Sequence, residues 1–171
     1  MVKKIVGTGV LLVLALALQA GVKMYTLKSP DGKAKLEVTA GQGIAYSLFY
    51  DGRLLLKPSR IALHTDLPEA DHWENIRITG TKQRHVSETV QAPFYRVKEF
   101  GIDCNELELR LNNGFSLLMR AYNDGMAYRF VAGRKGEMTV VEERAEFNFA
   151  DDFEAYIPYS TNPKDPWNMA F

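Results

Sequence analysis

The sequence predicts an all-β protein built as an antiparallel β-sandwich. Short alternating runs of bulky residues recur along the chain, and Gly, Pro, Asn and Asp separate them at close intervals. No amphipathic helical pattern lies between these runs. The 171 residues, of which 46% are hydrophobic, can bury one sizeable core, so we expect a single domain and no additional catalytic barrel.

The first 20 residues have the order of a secretory signal peptide. Lys3 and Lys4 precede an apolar run that ends in small residues near Ala20. The run is shorter than the roughly 20 apolar residues of a membrane span, so an uncleaved anchor is the alternative. We expect cleavage after Ala20, which leaves residues 21–171 as a periplasmic or secreted domain without a membrane contact.

Charge and cysteine content narrow the classes of partner. Removal of Lys3 and Lys4 leaves 19 basic residues against 21 acidic ones, so nothing in the charge balance favours nucleic acid or an anionic membrane. Cys104 is the only cysteine, so the chain cannot form an internal disulfide. A lone thiol is more often a small buried hydrophobe than a nucleophile, and we assign Cys104 a structural role.

Two hairpins begin the predicted domain. Residues 22–27 and 33–39 flank a turn at residues 29–32 that contains Pro and Gly. Residues 44–50 and 53–56 then flank Asp51-Gly52. These alternating runs predict four consecutive antiparallel strands.

The middle of the chain alternates between a polar loop and further strands. Residues 64–71 contain Pro and acids without alternation, which is typical of a surface loop. Strand-like composition returns at residues 73–79, 83–90 and 105–111, and the turn at Asn112-Asn113-Gly114 leads into residues 115–122. The pattern predicts a meander of consecutive strands.

The central hairpin covers residues 117–130, where Asn123-Asp124-Gly125 separates two bulky runs. Asp-Gly tolerates the positive φ angles of a tight hairpin turn, so we expect one here. Alternation predicts two largely apolar faces, one with Leu118, Arg120 and Tyr122 and the other with Met126, Tyr128 and Phe130. Arg120 and Arg129 must then find the rim or an ionic partner.

The C-terminal part continues the β pattern and then changes. A turn at residues 133–136 precedes strand-like runs at 138–143 and 145–149. Residues 156–167 are aromatic and proline-rich, without a polar, solvated end after them. We therefore expect the β-sandwich of residues 21–171 to be incomplete at its C-terminal end.

Four segments carry a resemblance to a known family. They are RAYNDGMAYRF at residues 120–130, SPDGKAKLEV at 29–38, AYSLFYDGRLLLKPSRIAL at 45–63 and EFNFADDFEAYIPY at 146–159. Together they resemble the N-terminal domain of family 97 glycoside hydrolases, bacterial enzymes that act on α-glucosides and α-galactosides. The resemblance covers most of the mature chain but only the first part of such an enzyme.

The resemblance implies a partial super-sandwich of the galactose mutarotase type, followed in the family by a (β/α)₈ barrel. It implies that the catalytic carboxylates and most ligands of a calcium ion belong to that barrel. We therefore expect a non-catalytic domain that contacts α-glucoside or α-galactoside only through the intact enzyme. No calcium ligand can be assigned in this chain, and calcium is expected only in the intact enzyme.

Acidic residues are the first candidates for chemistry. Glu142-Glu143 and Asp151-Asp152 are adjacent pairs, but neighbours on a strand point to opposite faces and do not form a catalytic pair.

The polar loop after residue 64 contains five potential metal ligands: Asp66, Glu69, Asp71, His72 and Glu74. Their spacing matches neither an EF-hand nor a zinc site, so a solvated loop is favoured. His64 and His85 have no nucleophile motif beside them, and neither is assigned a catalytic role.

Aromatic side chains are the better candidates for carbohydrate binding, because a sugar ring packs on an aromatic face. We select Trp73, Trp167, Tyr156 and Tyr159 for this role, with ordinary core packing as the competing interpretation. Arg120 and Arg129 could hold the sandwich to a barrel, although a rim or ion-pair role is favoured. Two alternatives for the whole chain remain: a free-standing periplasmic carbohydrate-binding module and a complete small hydrolase.

Overall fold

The fold consists of two antiparallel sheets that face each other. The computed structural model describes residues 23–94 and 96–154, and within these ranges it contains nine strands and no helix. They are β1 (Met24–Lys28), β2 (Ala34–Gly41), β3 (Gly43–Tyr50), β4 (Arg53–Thr65), β5 (Ile78–Gln91), β6 (Glu99–Leu111), β7 (Phe115–Ala121), β8 (Met126–Ala132) and β9 (Val140–Ala145). The all-β antiparallel sandwich is confirmed. The predicted signal peptide, residues 1–20, lies outside the described residues.

In each sheet the strands lie side by side in nearly the same order as in the sequence. The five-stranded sheet has the order β1-β2-β3-β4-β9 and the four-stranded sheet the order β5-β6-β7-β8. Every pairing between neighbouring strands is antiparallel. Only the step from β4 to β9 joins strands that are distant in sequence. Among the described residues, no helix is long and apolar enough to cross a membrane.

The core lies between the sheets, where alternation brings the apolar side chains together. The five-stranded sheet contributes Leu27, Leu36, Val38, Ile44, Tyr46 and Ile61, and the four-stranded sheet contributes Leu107, Leu109, Phe115, Leu117 and Met119. On β7, Leu117 and Met119 point into the core, so the predicted apolar face with Leu118, Arg120 and Tyr122 is instead the outer face of this strand. The register aligns Leu117 with Phe130 and Met119 with Tyr128, so the predicted apolar face of β8 does pack against the core.

Several predicted strand limits are wrong. Trp73 lies in the loop before β5, because β5 begins only at Ile78. The predicted strands at 73–79 and 83–90 are therefore one strand, which contains the end of the first segment and all of the second. The backbone N–H of Ile76 donates to the carbonyl oxygen of Gly41 at 2.7 Å, and Ile76 is buried. The bulky residues of this segment thus cover the core from a loop, which explains their strand-like composition. Beyond β9 the predicted run at 145–149 forms no further strand. It joins β4 through an isolated bridge from Phe149 to Leu56 and through backbone hydrogen bonds, such as the one from Lys57 N–H to the carbonyl oxygen of Asn148 at 2.8 Å.

Two parts of the sheets are more exposed than the rest. All six residues of β9 are exposed, and β9 pairs with β4 at one edge of the five-stranded sheet. The β5–β6 hairpin is also longer than its neighbour, because β7 pairs with β6 only between Asn105 and Arg110. We call residues 86–91 and 99–104, which project past β7, the arm. Cys104 lies at the base of the arm and is fully buried, as its structural assignment requires.

Candidate functional site

A groove of about 770 Å³ is lined by residues of β3, β4 and β9 of the five-stranded sheet and by the loop before β5. The start of β3, the middle of β4 and the loop before β5 form its walls, and Arg144 of β9 completes it. Its polar lining includes Arg60, His64, Asp71, His72, Glu74 and Arg144. The volume is within the range of small-molecule sites, and the lining supplies both hydrogen-bond donors and acceptors. We refer to it as the groove.

His64 and Asp71 form a hydrogen-bonded pair in the groove. His64 Nδ1 lies 2.8 Å from a carboxylate oxygen of Asp71, and the backbone N–H of Thr65 donates to the same oxygen at 3.3 Å. These contacts join β4 to the loop and hold the imidazole in one orientation. With Nδ1 donating to Asp71, Nε2 is the acceptor that remains for a ligand hydroxyl.

Trp73 lines the groove, but most of its ring belongs to the core. The side chain is 8% exposed, and its indole N–H donates to the carbonyl oxygen of Leu63 at 3.1 Å. Phe115 stacks near one side of the ring at 6.1 Å, and Phe130 meets it edge-on at 5.2 Å between centroids. Trp73 therefore offers a ligand little open ring surface, and its contribution to carbohydrate binding stays a prediction.

The two arginines of the groove are linked through Glu146. Arg144 Nε lies 3.1 Å from one carboxylate oxygen of Glu146, and the backbone N–H of Arg60 donates to the other at 3.0 Å. The Arg60 amide, together with the positive charge of Arg144, holds the pKa of Glu146 below its usual value. Glu146 thus stays ionised and fixes this side of the groove.

The acids of the loop do not converge on one point. Asp66 accepts the backbone N–H of Thr139 at 2.9 Å, Glu69 forms an ion pair with Arg134 at 2.6 Å, and Asp71 binds His64. These contacts lower the pKa of both Asp66 and Glu69, the first mainly through Thr139 and the second mainly through Arg134. Nowhere in residues 23–94 and 96–154 do three or more His, Cys, Asp or Glu side chains form a metal-binding group.

The adjacent acid pairs are exposed and separate. Glu142 and Glu143 align with His64 and Leu63, which point to opposite faces of β4. Glu143 accepts a hydrogen bond from the Tyr128 hydroxyl at 3.1 Å, and burial raises the pKa of that hydroxyl to about 12. A carboxylate oxygen of Asp151 lies 3.4 Å from a guanidinium nitrogen of Arg53.

The other predicted sugar-binding residues lie outside the described residues. They are Tyr156, Tyr159 and Trp167.

Arg120 has the ion-pair role that we favoured for it. Its Nε lies 2.8 Å from one carboxylate oxygen of Glu106, and Arg84 Nε lies 2.6 Å from the other. The Glu106 side chain is only 5% exposed, although it is on the outer face of the four-stranded sheet. Arg129 lies on the same outer face, across from Leu118.

Sequence reasoning missed the groove because its residues come from four distant segments. His64 and Asp71 are seven residues apart, and only the return of the loop onto β4 brings them together. Arg60 and Arg144 are separated by most of the domain. The sequence feature that could have indicated the groove was the dense acidic loop beside His64. That feature is equally typical of a solvated surface loop.

Comparison with known proteins shows that the chain is similar to one part of known glycoside hydrolases. The profile of the family described as Glycosyl-hydrolase 97 N-terminal matches residues 27–168. A retaining alpha-galactosidase of Bacteroides thetaiotaomicron is 40% identical over 151 residues, which is 88% of this chain and 22% of that protein. A probable retaining alpha-galactosidase of Streptomyces bingchenggensis is 26% identical over 132 residues, 75% of this chain and 20% of that protein.

Solved structures agree on the fold. A family 97 glycoside hydrolase from Pseudoalteromonas sp., solved with panose and with acarbose, matches with a TM-score of 0.62 at 19% identity, over 74% of this chain and 20% of that one. A beta-arabinopyranosidase matches with a TM-score of 0.65 at 25% identity, over 73% and 21%. The chain thus spans about a fifth of the length of these relatives. It belongs to the family of glycoside hydrolase 97 N-terminal domains.

Proposed function

We propose that the chain is the non-catalytic N-terminal β-sandwich of an exported α-glycoside hydrolase. The observation that carries this proposal is the 40% identity to a retaining alpha-galactosidase across 88% of the chain but only 22% of the relative. An α-galactoside is accordingly the first substrate to test for the intact enzyme and an α-glucoside the second. In that enzyme the domain packs on a catalytic barrel and contributes to binding the sugar.

The carboxylates support a non-catalytic role. Glycoside hydrolysis needs two carboxyl groups roughly 5 to 9.5 Å apart, one of which has a raised pKa so that it can act as the acid. Every described carboxyl with a resolved shift has its pKa lowered instead: Asp31, Asp66, Glu69, Glu106 and Glu146. These groups are stable carboxylates and poor proton donors at neutral pH. In the intact enzyme we assign the acid, the nucleophile and a calcium ion to the barrel, because no described cluster here fits the metal.

The groove supports a contribution to sugar binding. Imidazole, guanidinium and carboxylate groups line the groove together with apolar side chains such as Ile61 and Trp73. Hydroxyl groups of a sugar can both donate to and accept from this set. The edge strand β9, which has exposed Val140 and Val141, supports packing against further protein.

Export is proposed from the leader alone. We expect the mature chain to begin at Gly21, which N-terminal sequencing of protein recovered from the periplasm or medium would establish. A mature protein that retains residues 1–20 would favour the membrane-anchored alternative.

The activity of the purified 171-residue chain tests the main proposal. We expect no turnover of aryl α-galactosides or aryl α-glucosides by the chain, and turnover by the longer protein encoded in the same reading frame. Turnover by the chain that survives purification, and that is lost in Glu142→Gln, Glu143→Gln, Asp151→Asn or Asp152→Asn, would contradict it. Such a result would favour a complete small hydrolase.

Calorimetric titration with galactose tests the groove. Weak binding by the chain should be lost in His64→Ala but retained in His85→Ala, because His85 pairs with Asp103 at 3.2 Å outside the groove. Equal effects of the two substitutions would contradict a role for the groove. The groove also favours the second candidate, a free-standing carbohydrate-binding module, which requires the reading frame to stop directly after Phe171.

A further inference from the structure

Four dipeptides of the chain place Asp or Asn directly before Gly. They are Asp31-Gly32, Asp51-Gly52, Asn113-Gly114 and Asp124-Gly125. In such a dipeptide the backbone nitrogen of Gly can attack the side-chain carbonyl carbon of the preceding residue, because Gly has no side chain to hinder the approach. The reaction requires that this carbon and this nitrogen are both free to meet. The tertiary structure therefore decides which of the four dipeptides reacts.

Asp31-Gly32 is held at both reacting groups. One carboxylate oxygen of Asp31 accepts a hydrogen bond from the Ser29 hydroxyl at 2.6 Å and another from the backbone N–H of Lys33 at 3.0 Å. The backbone N–H of Gly32 donates to the carbonyl oxygen of Ser29 at 3.0 Å. The hydrogen bond from Ser29 also keeps the pKa of Asp31 below its usual value, so little of the reactive, protonated carboxyl forms.

Asn113-Gly114 is protected by burial. The Asn113 side-chain nitrogen donates to the carbonyl oxygen of Ala70, and its side-chain oxygen accepts the backbone N–H of Phe115, both at 3.3 Å. Asn113 is itself buried, so water has little access to the amide. This dipeptide cannot react without local unfolding.

Asp51-Gly52 is exposed but held in a fixed turn. Both residues have positive φ angles, and the backbone N–H of Asp51 donates to the carbonyl oxygen of Lys33 at 2.9 Å. Tyr50 and Arg53 are paired on the two sides of the turn. To bring the Gly52 nitrogen onto the Asp51 side chain, the turn must leave this conformation and give up hydrogen bonds.

Asp124-Gly125 lacks all of these restraints. Asp124 is exposed, and in the part of the chain that the structure describes its carboxylate has no hydrogen bond or ion pair. The N–H of Gly125 donates no hydrogen bond within that part either. Strand pairing has ended at Ala121 and Met126, and no atom lies within 4 Å of the place of a Cβ at Gly125. The carboxyl carbon and the amide nitrogen are thus free to meet.

We propose that Asp124 is a site of spontaneous isoaspartate formation in the folded protein. The Gly125 nitrogen forms a bond to Cγ of Asp124, and the carboxyl hydroxyl leaves as water together with the amide proton. One water molecule then adds to the main-chain carbonyl carbon of the cyclic imide and breaks the bond from that carbon to nitrogen. The main chain now runs through Cβ and Cγ of Asp124. One water is released and one is consumed, so the reaction needs no cofactor and no oxidant.

The product alters a contact between the two sheets. Asn123 Oδ1 accepts the backbone N–H of Asp31 at 3.0 Å, and this hydrogen bond joins the β7–β8 connection to the turn between β1 and β2. Isoaspartate adds one methylene group to the main chain at the residue after Asn123. The modification therefore shifts Asn123 relative to Asp31, and this consequence is independent of the proposed function.

Peptide mapping of the aged 171-residue chain tests the proposal. The chain is incubated at about pH 5, where part of the carboxyl is protonated, and isoaspartate at each Asp-Gly is quantified by mass spectrometry against synthetic isoaspartyl peptides. We expect isoaspartate at Asp124 to accumulate about ten times faster than at Asp31 or Asp51, because each of those turns must first break about one hydrogen bond. In the chain unfolded by urea, the three rates should agree within about threefold.

Two glycine variants provide the control. Gly125→Ala should slow isoaspartate formation at Asp124 by about tenfold, because the added methyl group hinders the attacking nitrogen. Gly52→Ala is the matched variant and should leave the rate at Asp124 unchanged. Similar rates at the three Asp residues of the folded chain, or a faster rate at Asp31 or Asp51, would overturn the proposal. A rate at Asp124 that Gly125→Ala does not change would overturn it as well.

Discussion

Glu106 is a buried carboxylate on the outer face of the four-stranded sheet, between Arg84 and Arg120. Burial alone would raise the pKa of this carboxyl, but the hydrogen bonds from Arg84 and Arg120 outweigh burial and lower it. A buried carboxylate with two guanidinium partners is costly to disturb, because removal of its charge leaves both cations without their counter-ion. Glu106 therefore fixes the relative positions of β5, β6 and β7 on the outer face.

Glu106→Gln should lower the free energy of unfolding of the chain by about 2 kcal/mol. Urea unfolding would measure the loss. The control is Glu108→Gln, two residues along the same face, where the carboxylate accepts a hydrogen bond from the Ser116 hydroxyl at 3.2 Å. We expect the control to change the stability by less than about 0.5 kcal/mol. Equal losses would show that the pairing at Glu106 adds nothing.

The ion pairs of Glu106 with Arg84 and Arg120 should make the stability of the chain depend on pH in acid. A carboxyl whose pKa is lower in the folded state adds stability above its unfolded pKa of about 4.3, and this stability is lost as the pH falls through the folded value. The wild-type chain should lose this contribution below about pH 4, and Glu106→Gln should lack it at every pH. The gap between the two unfolding curves should therefore narrow in acid. A gap that is independent of pH would contradict the ionic explanation.

The Asp-Gly dipeptide adopts different backbone conformations in two hairpin turns of this protein. Asp51 and Gly52 have φ angles of +48° and +78°, as expected for a two-residue turn of type I′. At Asp124-Gly125 neither residue has a positive φ, because pairing ends at Ala121 and Met126 and four residues make the connection. A hydrogen bond of 2.8 Å from the N–H of Tyr122 to the carbonyl oxygen of Gly125 closes it. The hairpin at 117–130 is confirmed, and its predicted tight turn is wrong.

Alanine substitution at Gly52 and at Gly125 should therefore have different effects on stability. Gly52→Ala should reduce the free energy of unfolding by about 1 kcal/mol, since a side chain is strained at positive φ. Gly125→Ala should leave stability unchanged or raise it by about 0.5 kcal/mol, because no atom blocks a Cβ there and the unfolded chain loses freedom. Thermal unfolding of both variants would decide. A loss at Gly125 as large as that at Gly52 would contradict the difference in turn geometry.

At the scale of the whole molecule, the sandwich is unevenly covered. β9 forms one end of the longer sheet, and Val141 on it is 68% exposed. β8 is the edge strand of the shorter sheet, and the hydroxyl of its Tyr128 contacts Glu143 of β9. Open edges that carry apolar residues are prone to pair with other chains.

We expect the purified chain to self-associate through this end of the sandwich as its concentration rises. Val141→Lys should shift the chain toward monomer, because an edge charge opposes strand pairing. Thr26→Lys adds the same charge to β1, the exposed edge at the other end of that sheet, and should have little effect. Light scattering over a range of concentrations would measure the change. A wild-type chain that stays monodisperse at high concentration would support the free-standing module.

The sequence by itself determined the fold class, the family and most of the hairpins. Alternation and turn residues are local signals, and an antiparallel meander joins neighbours in sequence, so local signals were sufficient. Only the tertiary structure decided the pairing of β4 with β9, the place of Trp73 in the core and the assembly of His64, Asp71 and Arg144 around the groove. Those features depend on which distant segments meet, and periodicity along a chain carries no information about that.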